Sequence, residues 1–226
     1  MTPLPVLILA VLRLTQPEVL ESTYSARHLE MVANPSREEW AAAPRVLAAR
    51  DRMGQPVAGP PMEIRSQWTR DHLYLLFVCP YTSLNVTPAP DARVETERLW
   101  HRDVVEAFIG TDFENIGQYK EFQASPQGEW ADLDINRASP AKAQGSRWAS
   151  GFTVKAQIDV AHRTWYALMR IPFRAIASRP PASGMELRLG LFRIAGDTEP
   201  RTRYVWQPTG QATFHVPEAF GILRLR

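Results

Sequence analysis

The sequence predicts an all-β fold, a two-sheet antiparallel sandwich of jelly-roll type, and three observations carry that expectation. Short runs rich in Val, Ile, Leu, Phe, Tyr and Trp recur along the chain. They are punctuated by 19 prolines and 12 glycines, and long helical periods are hard to find. One run, Gly151 to Val160, alternates cleanly, with Phe152, Val154, Ala156, Ile158 and Val160 on one face and Thr153, Lys155, Gln157 and Asp159 on the other. Successive side chains of a strand point to opposite sides, so this segment should bury one face and wet the other.

Taken in chain order, the first apolar stretch runs from Leu4 to Leu12. It is too short to span a bilayer, has no Lys or Arg ahead of it, and carries Pro3 and Pro5, so it reads as a first strand or a leader and is incomplete as a signal peptide. Ser36, Arg37, Glu38 and Glu39 ahead of Trp40 and Ala41 to Ala43 resemble a capped helical turn stopped by Pro44. Met62 to Trp68 and Leu73 to Cys79 flank the polar tetrad Thr69, Arg70, Asp71 and His72, which has the length of a hairpin loop. Further strand patterns lie at Asp103 to Ile109, Gln118 to Ala124, Glu129 to Ile135, Thr164 to Ile171, Glu186 to Ile194, Arg203 to Trp206 and Phe220 to Leu225. With Gly151 to Val160 these make ten strands, enough for two packed sheets. Long polar stretches, Pro80 to Arg98 and Ala138 to Arg147, fall between strands, where loops of a sandwich often carry the site.

The 226 residues suit one large domain, read here as residues 24–226 behind a leader or first strand at 1–23. Hydrophobic residues at 45% and charged residues at 22% are ordinary globular values. The 26 basic and 24 acidic residues are dispersed, which argues against nucleic acid, and no stretch argues for a membrane. Cys79 is alone, so no internal disulfide framework exists, and its apolar run marks it as core filler. Trp68, Trp165 and Trp206 lie inside strand patterns and read as core; Trp130 and Trp148 stay unassigned.

Two residues stand out chemically. Glu106 shares a strand face with Val104 and Phe108, and a carboxylate among apolar neighbours needs a partner. An internal ion pair with an arginine such as Arg193 would serve, and so would a ligand. Trp100 is flanked by Arg98, His101 and Arg102 after a long loop, which favours an exposed aromatic platform.

Three blocks resemble the family 9 carbohydrate-binding modules and their stand-alone relatives, a group related to the DOMON-type sandwich domains. The first is Arg65-Ser66-Gln67-Trp68 with Asp71-His72-Leu73-Tyr74-Leu75. The second, the most specific, is Leu99-Trp100-His101-Arg102-Asp103-Val104-Val105-Glu106-Ala107-Phe108-Ile109, continuing into Tyr119-Lys120-Glu121-Phe122-Gln123. The third is Trp206-Gln207-Pro208 leading to Phe214-His215-Val216-Pro217-Glu218-Ala219-Phe220-Gly221-Ile222-Leu223-Arg224. Together they cover about Tyr24 to Arg226.

The resemblance implies a non-catalytic, monomeric, extracytoplasmic sandwich that binds a saccharide, a plant-type glucan such as cellulose or a xylan. It requires no cofactor, although structural calcium occurs in some members. Carried over, Trp100 is one wall of an aromatic sugar clamp and Phe214 stands where the second wall is usually tryptophan. Glu106 is the acceptor of sugar hydroxyls, and Arg193, Gln123 and Gln211 supply polar contacts, with Gln123 standing where arginine also occurs. Flat aromatic surface suits the C–H face of a pyranose, and directional donors and acceptors suit its hydroxyl rim.

Other classes make different demands. A glycoside hydrolase would use paired carboxylates, Asp103 with Glu106 or Asp132 with Asp134. A haem-binding sandwich would draw on His28, His215, Met31 and Met185. An aromatic patch could also bind another protein. The chain holds no nucleophile elbow, phosphate loop, dinucleotide fingerprint or His-Glu-x-x-His run.

Overall fold

A computed structural model describes residues 17–226, so the Leu4 to Leu12 stretch lies outside the described residues. Thirteen strands are present: β1 (Val19–Tyr24), β2 (Arg45–Ala48), β3 (Met62–Trp68), β4 (His72–Pro80), β5 (Val104–Gly110), β6 (Gln118–Ala124), β7 (Trp130–Asn136), β8 (Ser146–Arg147), β9 (Thr153–Asp159), β10 (Thr164–Pro172), β11 (Glu186–Ala195), β12 (Thr202–Val205) and β13 (Gly221–Leu225). All ten expected strands form. The three unexpected ones are short, or, like β1, carry a mixed pattern.

The strands run β8-β7-β6-β5-β11-β13-β1-β3-β4-β10-β9, with β12 beside β11 and β2 beside β3. The order bends into two layers at β1, which pairs with β13 through Val19 to Ser22 and then with β3 through Thr23 and Tyr24. Both β1 pairings are parallel, while every other strand pairing among the described residues is antiparallel. Because β1 is the seam of the sandwich, the domain includes Val19–Tyr24, and an expected boundary after residue 23 falls inside a strand. A sequence pattern misses this because β1 switches partners midway and so never shows one buried side throughout.

Between the layers lies one large core. It takes Val105, Ala107 and Ile109 from β5, Phe122 and Ala124 from β6, and Leu187, Leu189 and Leu191 from β11. From the facing sheet come Leu73, Leu75, Phe77 and Cys79 of β4 and Trp165, Ala167 and Met169 of β10. Trp68, Trp165 and Trp206 are buried as expected, and Cys79 fills core space, its thiol pushed up to about 12 by burial. In the edge strand β9 the alternation holds through Ile158 but not to Val160, which is 74% exposed because the strand ends at Asp159.

The hairpin β3–β4 has the expected register, Trp68 opposite Leu73, closed by Thr69 to Asp71. The short helix Glu38–Ala41 also forms, but Arg37 rather than Ser36 occupies its N-cap and no side chain caps it. Its Trp40 seals the outer face of β4, packing with Leu29, Tyr74, Leu76 and Leu168. Among the described residues no helix is long and apolar enough to cross a membrane.

Candidate functional site

On the outer face of the sheet that contains β5, β6 and β11, alternate residues turn away from the core. Val104, Glu106 and Phe108 of β5, Tyr119, Glu121 and Gln123 of β6, and Arg188, Phe192 and Ile194 of β11 all point outward, yet nearly all are buried. The cover is the segment between β12 and β13. It lays Phe214 flat on Phe192, with ring centroids 4.4 Å apart and planes 9° apart, and presses Phe220 against Phe108 and Tyr119. This aromatic layer fixes the closing segment to the sheet, since stacked and edge-to-face rings add to simple area burial. Gly190 makes room for it: a Cβ there would meet Phe192 Cε2 at 2.6 Å.

Where the cover stops, a cavity of about 290 Å³ opens, lined by Trp100, Glu106, Glu121, Gln123, Phe214 and His215, with Arg52 and Arg203 also on its wall. Trp100 reaches it from a single 3-10 turn, Leu99–His101, that hangs from buried Leu99. Arg98 enters that turn in the left-handed region at φ 52°. Arg201 pins the turn by donating Nη1 to the Trp100 carbonyl at 3.0 Å, and its Nε to the Gly196 carbonyl at 2.9 Å. Asn85 holds it from the other side, donating Nδ2 to the His101 carbonyl at 3.2 Å. Trp100 is 38% exposed, a platform rather than a core residue.

The floor of the cavity is polar. Gln123 Nε2 donates to Glu106 Oε1 at 3.1 Å and also to Glu121 Oε1, so one amide bridges two buried carboxyls. Burial pushes Glu106 well above the usual carboxylate range, and the neighbouring Glu121 pushes it further while Arg203 and Arg201 oppose. Burial likewise raises Glu121, to about 7, against the Gln123 hydrogen bond. His215 lies 3.9 Å from Glu121, but burial, with Arg137 adding repulsion, lowers it to about 4. At 3.9 Å the two groups are beyond hydrogen-bonding distance. Instead His215 Nδ1 shares a hydrogen bond of 2.8 Å with the Tyr119 hydroxyl. Glu121 Oε2 and Gln123 Oε1 are buried with no hydrogen-bond partner.

Of the six residues the sequence pointed to, Trp100, Glu106, Gln123 and Phe214 line this cavity. Gln211 does not line it; it is exposed in the closing segment, where its backbone N–H donates to Thr209 Oγ1 at 3.4 Å. Arg193 is on the wrong side. Glu106 sits opposite Phe192 in the ladder, so the next residue, Arg193, turns into the core and packs over Tyr204 at 5.1 Å and Trp165 at 5.8 Å. Arg193 consequently neither pairs with Glu106 nor reaches the cavity. Glu121, one of the residues sequence reading passed over, alternates with Gln123 on β6, and that period of two was a usable signal. Arg52 comes from the loop between β2 and β3 and carries no local signal.

The acid pairs of a hydrolase do not converge on this cavity. Asp103 is buried, accepting from Gly196 N at 2.8 Å and from Arg201 Nη2 at 3.4 Å. Asp132 accepts from Ser150, and Asp134 is paired with Lys120 and Lys142. The haem candidates are dispersed as well: His215 lines the cavity, Met185 belongs to the inter-sheet core, Met31 packs by Trp40, and His28 lies near Asp71. Among the described residues, the convergent group of three His, Cys, Asp or Glu side chains is His28, Asp71 and His72.

The fold is thus a sandwich with an aromatic-walled, polar-floored cavity on one sheet face. The chain belongs to the carbohydrate family 9 binding domain-like family, whose model matches residues 36–226. Its fold is shared by a candidate carbohydrate-binding protein from Bacteroides uniformis, at TM-score 0.72 and 14% identity over 93% of this chain and 100% of that one. A family 9 carbohydrate-binding module from Caldicellulosiruptor kristjanssonii, solved with cellotriose, matches at TM-score 0.66 and 12% identity over 92% and 94% of the two chains. The same organism's module with glucose matches at 0.67 and 12% over 92% and 96%. A protein of Arthroderma benhamiae named "Extracellular protein" is 24% identical over 134 residues, which span 54% of this chain and 60% of the relative's length.

Proposed function

We propose that this chain is a non-catalytic, monomeric, extracytoplasmic module that binds a glucan or xylan oligosaccharide in the cavity beside Trp100. The observation that carries the reading is the pairing, in one cavity, of an exposed indole with buried acceptors that lack donors, Glu121 Oε2 and Gln123 Oε1. A buried acceptor without a donor costs about 1–3 kcal/mol, and sugar hydroxyls are donors. In this reading Trp100 and Phe214 carry the C–H face of one pyranose unit, and Glu106, Glu121 and Gln123 meet its hydroxyls. Arg52 and Arg203 bind ring or hydroxyl oxygens from the wall, and Gln211 contributes only at the rim. Family membership and the cellotriose and glucose complexes of similar folds support the ligand class; the name of the fungal relative supports the location.

Calorimetric titration with glucose, cellotriose and xylotriose tests it. Trp100→Ala should weaken the tightest of these by at least about tenfold, roughly 1.4 kcal/mol, with circular dichroism unchanged because the indole is not part of the core. Equal affinity of variant and wild type, or no heat with any of the three sugars, would overturn the assignment.

A further inference from the structure

A second cluster of ligand-type side chains lies among residues that do not line the cavity beside Trp100. His28 follows β1, Asp71 ends the β3–β4 turn and His72 begins β4, and the ligand atoms of all three lie within 4.8 Å of one another. His28 Nε2 is 3.8 Å from Asp71 Oδ2, and the His28 and His72 rings approach edge to face at 5.8 Å. We propose that these three side chains bind a divalent transition-metal ion of the imidazole-preferring kind, Zn²⁺ or Cu²⁺.

The donor set argues for such an ion, since two imidazoles and one carboxylate suit zinc and copper, whereas calcium prefers all-oxygen shells. Geometry is close to what coordination requires. Ligands held at about 2.0–2.1 Å around a tetrahedral zinc stand about 3.3 Å apart, so exposed His28 and Asp71 need shift only slightly. The backbone beneath them is already fixed. Thr69 N donates to the His72 carbonyl at 2.9 Å, Thr69 Oγ1 accepts from His72 N at 3.2 Å, and Phe173 N donates to the Asp71 carbonyl at 2.9 Å. Ser25 N donates to the Trp68 carbonyl at 2.7 Å, which ties the start of the His28 loop to the same hairpin.

One further observation points to a ligand: His72 Nδ1 is buried and has no hydrogen-bond partner. An ion coordinated through that nitrogen would supply the missing partner. Three protein ligands leave a tetrahedral ion one open position, and the cluster borders an open cavity of about 730 Å³. Arg70, Arg174 and Arg179 line the same cavity and repel a dication, which weakens binding relative to a closed structural zinc site.

The experiment uses the full chain without a histidine tag. Calorimetry with Zn²⁺ should give one equivalent bound, and Cu²⁺ electron paramagnetic resonance should show nitrogen hyperfine structure from two imidazoles. His28→Ala, which alters an exposed side chain, and His72→Ala should each weaken Zn²⁺ by about tenfold or more, and Asp71→Asn should also weaken it. Trp100→Ala should leave Zn²⁺ binding unchanged, because the two cavities share no residue. Absence of Zn²⁺ binding at micromolar concentration, or equal binding by wild type and His28→Ala, would overturn the proposal, whatever becomes of saccharide binding.

Discussion

The inner and outer faces of the sheet formed by β5, β6 and β11 are built from alternate residues of the same strands, yet they solve burial differently. The inner face is close to uniformly apolar: Val105, Ala107, Ile109, Phe122, Leu189 and Leu191 meet the opposite sheet. The outer face interleaves Phe108, Phe192 and Tyr119 with Glu106, Glu121 and Gln123, and it is covered by the closing segment and bounded by Trp100. Apolar burial is favourable wherever it occurs, so the inner face needs nothing beyond complementary shape. Buried carboxyls are stable only with partners or as neutral acids, and here the raised Glu106 and Glu121 values show that partners fall short. The same outer face carries the cavity beside Trp100 that is proposed above to take the saccharide.

The sharpest way to separate the faces is to empty one of them. Phe122→Ala removes a fully buried inner ring and should cost about 3–5 kcal/mol in urea unfolding; a loss below about 1 kcal/mol would mean the inner face is not the principal core.

A smaller effect should come from the outer face, with the opposite sign at high pH. The folded Glu121 value, about 7, is raised above its ordinary 4.5, so the folded state holds an extra proton between these values. The stability this gives is full below 4.5 and is lost as pH rises through about 7, at most about 3 kcal/mol. Glu121→Gln cannot ionise, and unfolding free energies at pH 5 and pH 8 should show the variant gaining on the wild type at pH 8. The comparison is made between variant and wild type because His215, lowered to about 4, has a linkage of the opposite sign. A gap that does not change with pH would show that Glu121 titrates normally.

The smallest effect concerns the residue on the unexpected side. Arg193→Met should leave saccharide affinity within about twofold of wild type, since Arg193 lies among inner-face aromatics. A loss of tenfold in a variant that keeps its circular dichroism would place the guanidinium in the ligand's path and break the assignment of faces.

Much of this was legible in the sequence because period-two alternation and turn chemistry are local. All ten expected strands, the β3–β4 hairpin, the buried Trp68, Trp165 and Trp206, and the four expected residues that line the cavity follow from such patterns and from the family resemblance. Arg193 was misplaced because alternation sorts residues within one strand but does not say which of them share a sheet face with a residue of another strand. Glu106 and Arg193 face opposite ways once β11 is registered on β5 with Glu106 opposite Phe192, and that register is a tertiary fact. Likewise β1 is too mixed to read as a strand until its two parallel partners are known.

What the sequence determined by itself is the all-β class, the strand inventory and the residue types from which a sugar site could be made, since each depends on neighbours within a few positions. Only the tertiary structure decided which face each strand turns to the core, that Glu121, Arg52 and Arg203 join Trp100 at one cavity, and that His28 meets Asp71 and His72. The physical reason is that these convergences depend on register and on segments far apart in the chain, and the free energy that fixes them comes from burying distant surfaces together.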